Sequence, residues 1–444
     1  MLLNAADKAL WRLALPMIFS NITVPLLGLV DTAVIGHLDS PVYLGGVAVG
    51  ATATSFLFML LLFLRMSTTG LTAQAWGAKD PQRLARALVQ PLALALGAGV
   101  LIILLRLPLI DLALHIVGGS EAVLEQARRF LEIRWLSAPA SLANLVLLGW
   151  LLGVQYARAP VILLVVGNLL NIVLDLWLVM GLRMNVQGAA LATVTAEYAT
   201  LIIGLLMAKR VLTLRGVSLA MLKNAWRGDL RRLLALNRDI MLRSLLLQLC
   251  FGALTVFGAR LGSDIVAVNA VLMTMLTFTA YALDGFAYAV EAHSGQAYGA
   301  RDGSQLLEVW RAACRQSGMV ALAFALIYSL AGQYIIALLT SLPSLQQLAD
   351  RYLIWQTILP VVGVWCYLLD GMFIGATRGA EMRNSMAVAA AGFGLTLLTL
   401  PWLGNHGLWL ALAVFLSLRG LSLAFIWHRH WQNNTWFPSR SDIS

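Results

Sequence analysis

Twelve long apolar stretches decide what this chain can become. They fall near residues 10–37, 43–74, 88–106, 128–154, 158–181, 186–209, 239–261, 264–297, 312–339, 351–375, 384–403 and 406–428, and most hold no more than two charged residues. Each can supply the ~20 residues that carry an α-helix across a bilayer core of ~30 Å. Lipid offers no water to satisfy backbone N–H and C=O groups, so such a run must hydrogen-bond within itself as a helix. The composition agrees: 60% of the 444 residues are hydrophobic and only 12% are charged, against about 25% charged in a soluble domain. The expected fold class is an all-α membrane protein of twelve transmembrane helices.

Alternating the loops across the membrane puts 21 Lys and Arg on the side of the N-terminus and 7 on the other. That excess marks a cytoplasmic face. Both termini are therefore expected in the cytoplasm, and the chain in the cell inner membrane as a multi-pass protein. A missed or extra helix would scramble the bias, so the bias also supports twelve. The net charge of +10 then reads as loops held beside an anionic leaflet. Nucleic acid is not an expected partner, because no basic run alternates with aromatics as a single-strand binder requires. The first apolar run is too long for a signal-peptide core and is expected to remain as the first helix.

The chain repeats itself at half its length. Gln74-Ala75-Trp76-Gly77-Ala78-Lys79-Asp80 returns as Gln296-Ala297-Tyr298-Gly299-Ala300-Arg301-Asp302, and Gly149-x3-Gly153 returns at the same shift as Gly371-x3-Gly375. Six helices per half make the repeat parallel, with two pseudo-symmetric lobes around a central cleft that can rock to give alternating access. The expected division is residues 1–209 as the N-terminal lobe, 210–238 as a basic cytoplasmic linker, 239–432 as the C-terminal lobe and 433–444 as a short cytoplasmic tail. The stretch from Leu219 to Leu236 reads as amphipathic and is expected to lie on the membrane surface. Two lobes in one chain are complete, so a monomer is expected.

No nucleotide-binding loop is present, so this chain does not hydrolyse ATP to drive movement. No hydrolase constellation stands out either, and the reading is not an enzyme. Cys250, Cys314 and Cys366 lie far apart and read as core residues rather than as a disulfide framework or zinc site. None of the six histidines forms a ligand pair with another, and no cofactor or metal is expected beyond a coupling cation.

Charge inside a span costs at least ~2.5–3.5 kcal/mol, so intramembrane acids are candidate functional groups. Asp31 near the end of helix one, Asp175 near the end of helix five and Thr193 near the start of helix six all fall about 9–11 Å below the outer boundary, at 1.5 Å per residue. Asn168, Asn171 and Asp175 share one helix face, as do Thr193 and Glu197. Oxygen groups from three helices in one layer suit a proton or a hard cation such as Na⁺. Asp284, Glu291 and Asp370 are acids of the second lobe, of which Asp284 and Asp370 are further cation-site candidates. Arg243 and Arg419 are expected to snorkel toward the headgroups, and Arg65 either to snorkel or to pair with an acid. Pro16 and Pro25 interrupt helix one and permit a hinge.

With Val30-Asp31-Thr32, Asn171-x3-Asp175, Gly188-Ala189-Ala190-x-Ala192-Thr193 and the repeated Gln-Ala-Trp/Tyr-Gly-Ala, the chain resembles the multidrug and toxic compound extrusion family over nearly its whole length. The resemblance implies an antiporter that expels small amphipathic or cationic organic compounds against inward H⁺ or Na⁺. It implies a cation site of Asp31, Asn171, Asp175 and Thr193, and bending at Pro16. Other branches of that family also use acids of the C-terminal lobe, and Asp370 stands at such a position. The alternative reading is a flippase for a lipid-linked precursor on a related fold, which would want several arginines at the cleft.

Overall fold

The structure, a computed structural model, describes residues 3–38, 40–228 and 230–438, with the side chains of 24–32 outside the description. The backbone forms α1 (Ala5–Gly36), α2 (Pro41–Leu61), α3 (Phe63–Gly77), α4 (Pro81–Leu104), α5 (Arg106–Val117), α6 (Glu121–Arg134), α7 (Ala138–Gly153), α8 (Arg158–Asp175), α9 (Asn185–Leu214) and the short α10 (Leu219–Asn224). Then follow α11 (Leu230–Leu261), α12 (Ser263–Ala300), α13 (Gly303–Leu339), α14 (Pro343–Gly375), α15 (Gly379–Thr396), α16 (Leu400–Leu403) and α17 (Asn405–Gln432). Among the described residues, eleven helical stretches are long and apolar enough to cross a membrane. They correspond to the second through twelfth apolar runs, and α1 to the first.

Two compact units divide the chain. One contains Phe19–Leu233, and the other combines Met1–Ile18 with Leu234–Ser444. The first half of α1 thus belongs to the C-terminal unit. It is held there by Leu10, Leu13, Ala14 and Met17, all buried. Trp11 donates to Gln316 at 2.9 Å and stands edge-on to Phe286. The Asp7 carboxylate pairs with Arg315 at 3.0 Å. A Cβ on Gly285 would sit 3.2 Å from the Ala14 carbonyl, so this glycine lets α12 close onto α1.

The repeat is built twice in the same way. Lys79 and Arg301 both take left-handed backbone (φ 55° and 56°) to end a helix. Asp80 and Asp302 then cap the next one through backbone N–H groups of Gln82, Arg83 and Gln305, each cap worth about 0.5–2 kcal/mol. Gly149 and Gly153 let α7 press on α3 at the Arg65 and Thr69 carbonyls, while Gly371 and Gly375 let α14 press on α12 at the Ala287 and Glu291 carbonyls. Without a hydrophobic effect between helices in lipid, close approach through small residues supplies the attraction. The spans containing α7 and α14 are accordingly the most enclosed, with 78% and 72% of their apolar windows buried.

Three features differ from the sequence expectation. The second span breaks at Leu62 between α2 and α3. The amphipathic α5, with Ile110 and Leu114 buried and Leu107, Leu112 and Ile116 exposed, follows the third span; at twelve residues it is too short to cross and left no spanning signal. The stretch from Leu219 to Leu236 turns at 225–228, and Val217 and Ala225 join the buried core of the N-terminal unit.

Candidate functional site

In the N-terminal unit, α8 carries Asn171 (1% exposed) and Asp175 (0%), one turn apart and both buried. Directly after Asp175 the helix widens into a π-turn, Leu176–Gly181. Such turns are rare and cluster at functional sites. It is kept in place by α9. Val179, Val186, Ala189 and Ala190 pack together there, and a Cβ on Gly188 would stand 3.1 Å from the Leu178 carbonyl. The small Gly188-Ala189-Ala190 face therefore brings the start of α9, and with it Thr193, up to the end of α8.

Both polar atoms of the Asn171 amide are buried with no hydrogen-bond partner among the described residues. A buried amide left unsatisfied costs about 1–3 kcal/mol, which makes Asn171 a candidate ligand. It lines a cavity of about 230 Å³ together with Asn168, Thr193, Glu197 and Asn144. Thr193 donates to the Ala189 carbonyl at 3.2 Å, which leaves its oxygen lone pairs available. The Glu197 carboxylate accepts from Asn144 at 3.2 Å and faces Arg134 at 4.0 Å. Arg134, near the start of the fourth apolar run and among the seven basic residues of the outer side, is thus part of this site's electrostatics. Four of the named N-terminal candidates (Asn168, Asn171, Thr193 and Glu197) come together on one cavity, with Asp175 one turn beyond. The side chains of Asp31 and Pro25 lie outside the described residues. Pro16 lies within α1, two residues before the boundary between the units.

In the C-terminal unit, Asp370 of α14 bonds both Arg243 of α11 and Arg419 of α17. Arg243 and Arg419 are 6% and 4% exposed, which corrects the expectation that they snorkel. A carboxylate at the right depth offers them more than the interface does, because a guanidinium fork matches a carboxylate in a medium of low dielectric. Asp284 of α12 is half-buried and within electrostatic range of Tyr281 and Tyr367. Glu291 is buried on the same helix. Arg65 is buried as well and donates to Thr69 at 3.2 Å. The repeat breaks down at the polar layer. Phe393, which stands where the first half has Asn171, packs edge-on against Phe415. No group of three or more metal-ligating side chains occurs among the described residues.

A twelve-run helical chain with two repeated units and a buried polar layer in one of them is the framework of a secondary transporter. The comparisons specify which. The MatE family pattern matches residues 16–177 and 240–416. DNA damage-inducible protein F of Escherichia coli (strain K12) is 87% identical over 437 residues, covering 98% of this chain and 95% of that protein. The probable multidrug resistance protein NorM of Acinetobacter baylyi is 23% identical, with 93% of each chain covered. A crystal structure of MATE in the bent conformation superposes with a TM-score of 0.84 at 24% identity, covering 97% of this chain and 96% of that one. The chain belongs to the MatE family of multidrug and toxic compound extrusion transporters, which are multi-pass membrane transporters and not enzymes. Within it, the chain falls in the branch of DNA damage-inducible protein F.

Proposed function

We propose that this protein exports small amphipathic or cationic organic compounds from the cytoplasm across the cell inner membrane, by antiport against H⁺ or Na⁺. Asp31, Asn171, Asp175 and Thr193 take up the cation, and both termini are cytoplasmic. The observation that carries this reading is Asn171, buried one turn from the buried Asp175 and on the wall of a polar cavity, with neither amide atom bonded among the described residues. A buried amide facing a polar cavity beside a buried carboxylate suits a cation ligand. Carbonyl, hydroxyl and carboxylate oxygens suit Na⁺, and the carboxylates alone suffice for H⁺.

Cation entry neutralises the carboxylate layer and lets α1 repack near Pro16, which releases substrate outward. Loss of the cation to the cytoplasm resets the site. A ligand shifts such an equilibrium only by its differential affinity for the two states, and neutralising an acid in lipid supplies that difference. The flippase reading is disfavoured because Arg243 and Arg419 are committed to Asp370 and do not present free guanidinium groups to a diphosphate.

Efflux of a fluorescent cationic dye from proteoliposomes tests the proposal, under an imposed pH gradient or an imposed Na⁺ gradient. One gradient should drive efflux, and Asp31→Asn and Asp175→Asn should each abolish it while the protein remains folded. Full gradient-driven efflux by either variant would overturn the assignment.

A further inference from the structure

The polar cavity of the N-terminal unit meets two carboxylates in different settings. Asp175 is fully buried, one turn beyond the wall, whereas the Glu197 side chain is 29% exposed and stands on the wall itself. Building on the antiport reading above, we propose that Glu197 is the specificity-determining residue that takes the positive group of the organic substrate, and that Asn144 is the positioning residue that aims it.

Glu197 lies well inside α9 (Asn185–Leu214), where an acid is costly in lipid and marks a functional position. The Asn144 amide of α7 donates both to the Glu197 main-chain carbonyl and to its Oε2, each at 3.2 Å. One group thus fixes backbone and carboxylate together and sets the direction of the acid. The other oxygen, Oε1, faces Arg134 at 4.0 Å, beyond hydrogen-bond reach. Arg134 donates to Ser137 and lies 5.5 Å over the Phe58 ring. It stands off the cavity wall, which Glu197 itself lines, so a ligand in the cavity meets the carboxylate first. The lone pairs of Oε1 stay open to a second cation.

The rest of the wall fits an amphipathic cation. Leu148, Leu163 and Leu164 give it an apolar side, and Asn168, Asn171 and Thr200 a polar one. At about 230 Å³ the cavity is smaller than the ~300–1,000 Å³ of a drug-sized pocket, so it takes a charged head and the adjoining ring rather than a whole drug. A positive group leaving water needs a countercharge, and a carboxylate in low dielectric supplies more than hydroxyls or amides do. Asp175 is enclosed and suits a proton or a small bare ion, so enclosure separates the coupling cation from the organic one. Thr193 and Glu197 stand one turn apart on one face of α9. The two positive occupants are therefore neighbours that repel, which links the arrival of one to the release of the other.

Ethidium, a permanent monovalent cation, serves as the probe for the full chain. Its efflux from proteoliposomes is measured against concentration under an imposed pH or Na⁺ gradient, and its binding to the detergent-purified protein by equilibrium dialysis with no gradient. Glu197→Gln keeps an amide oxygen that accepts from Asn144 and removes only the charge. It should raise the half-saturating concentration and the dissociation constant about tenfold, with the maximal rate near that of the wild type. Glu197→Asp should recover part of the affinity, and Asn144→Ala should weaken binding in the same direction by less. If Glu197→Gln, folded by size exclusion, binds ethidium as the wild type does, or loses maximal rate with half-saturation unchanged, Glu197 does not hold the substrate charge. The antiport reading then still stands on the gradient-driven efflux of the wild type. If neither gradient moves ethidium while its binding depends on Glu197, the site stands and the antiport reading falls.

Discussion

Asp370 shows how a single carboxylate organises the interior of the C-terminal unit. Arg243, Asp370 and Arg419 come from α11, α14 and α17 and are all buried. Removing the acid leaves two guanidinium groups in an apolar interior. Asp370→Asn should therefore destabilise the protein by about 3–5 kcal/mol, seen as a lower thermal midpoint in detergent. A midpoint equal to that of the wild type would show that the triad contributes nothing to the fold. Asn171 makes the opposite case. It is buried and, among the described residues, unbonded, so Asn171→Leu should raise the midpoint or leave it level while abolishing gradient-driven efflux. A group retained for stability would behave in the reverse way, losing stability and keeping transport, so the pair of measurements separates ligand from structural glue.

At the scale of elements, the helices meet where side chains are missing. Gly149 of α7 and Gly371 of α14 each allow a crossing in which an added Cβ would stand 2.5 or 2.7 Å from a facing carbonyl oxygen. Gly371→Leu should prevent that approach and reduce the folded yield in membranes far more than Gly394→Leu, since Gly394 has open space around it. Equal yields of the two variants would count against close packing at this crossing. The end of α17 is fastened differently. Arg378 donates to the carbonyls of Thr435 and Trp436 and lies over the Trp436 ring, which is buried against Tyr298 and Phe373. The start of the 433–444 segment is thus part of the unit's packing. Trp436→Ala should cost about 3–5 kcal/mol by analogy with other buried aromatic truncations, measurable as a lowered thermal midpoint.

Across the whole molecule, two units share one repeat but not one chemistry. The N-terminal unit places Asn171 where the C-terminal unit has Phe393, and the C-terminal unit places Asp370 where the N-terminal unit has Leu148. The first unit is left with an open polar cavity, and the second with a charge cluster closed on itself. Cation coupling should therefore track the first. Asp284→Asn should keep most of the gradient-driven dye efflux that Asp175→Asn abolishes. Equal loss in both would bring the acids of the second unit into the coupling step.

The sequence alone determined the spanning runs and the duplication, because lipid allows a spanning backbone no other hydrogen-bonding solution and because the repeated motifs lie at matching helix ends. It also determined which acids to suspect, since charge at that depth is costly wherever it points. What the sequence could not decide is which charges find one another. The spacing that marks Asn168, Asn171 and Asp175 as one face is local to a helix, and so was legible. The meeting of Arg243 and Arg419 with Asp370 and the approach of Arg134 to Glu197 join residues from different helices. Their separations depend on crossing geometry set by glycines and by the π-turn. The transfer of the first half of α1 to the C-terminal unit was hidden for the same reason: helix formation is local, but the choice of packing partner is not.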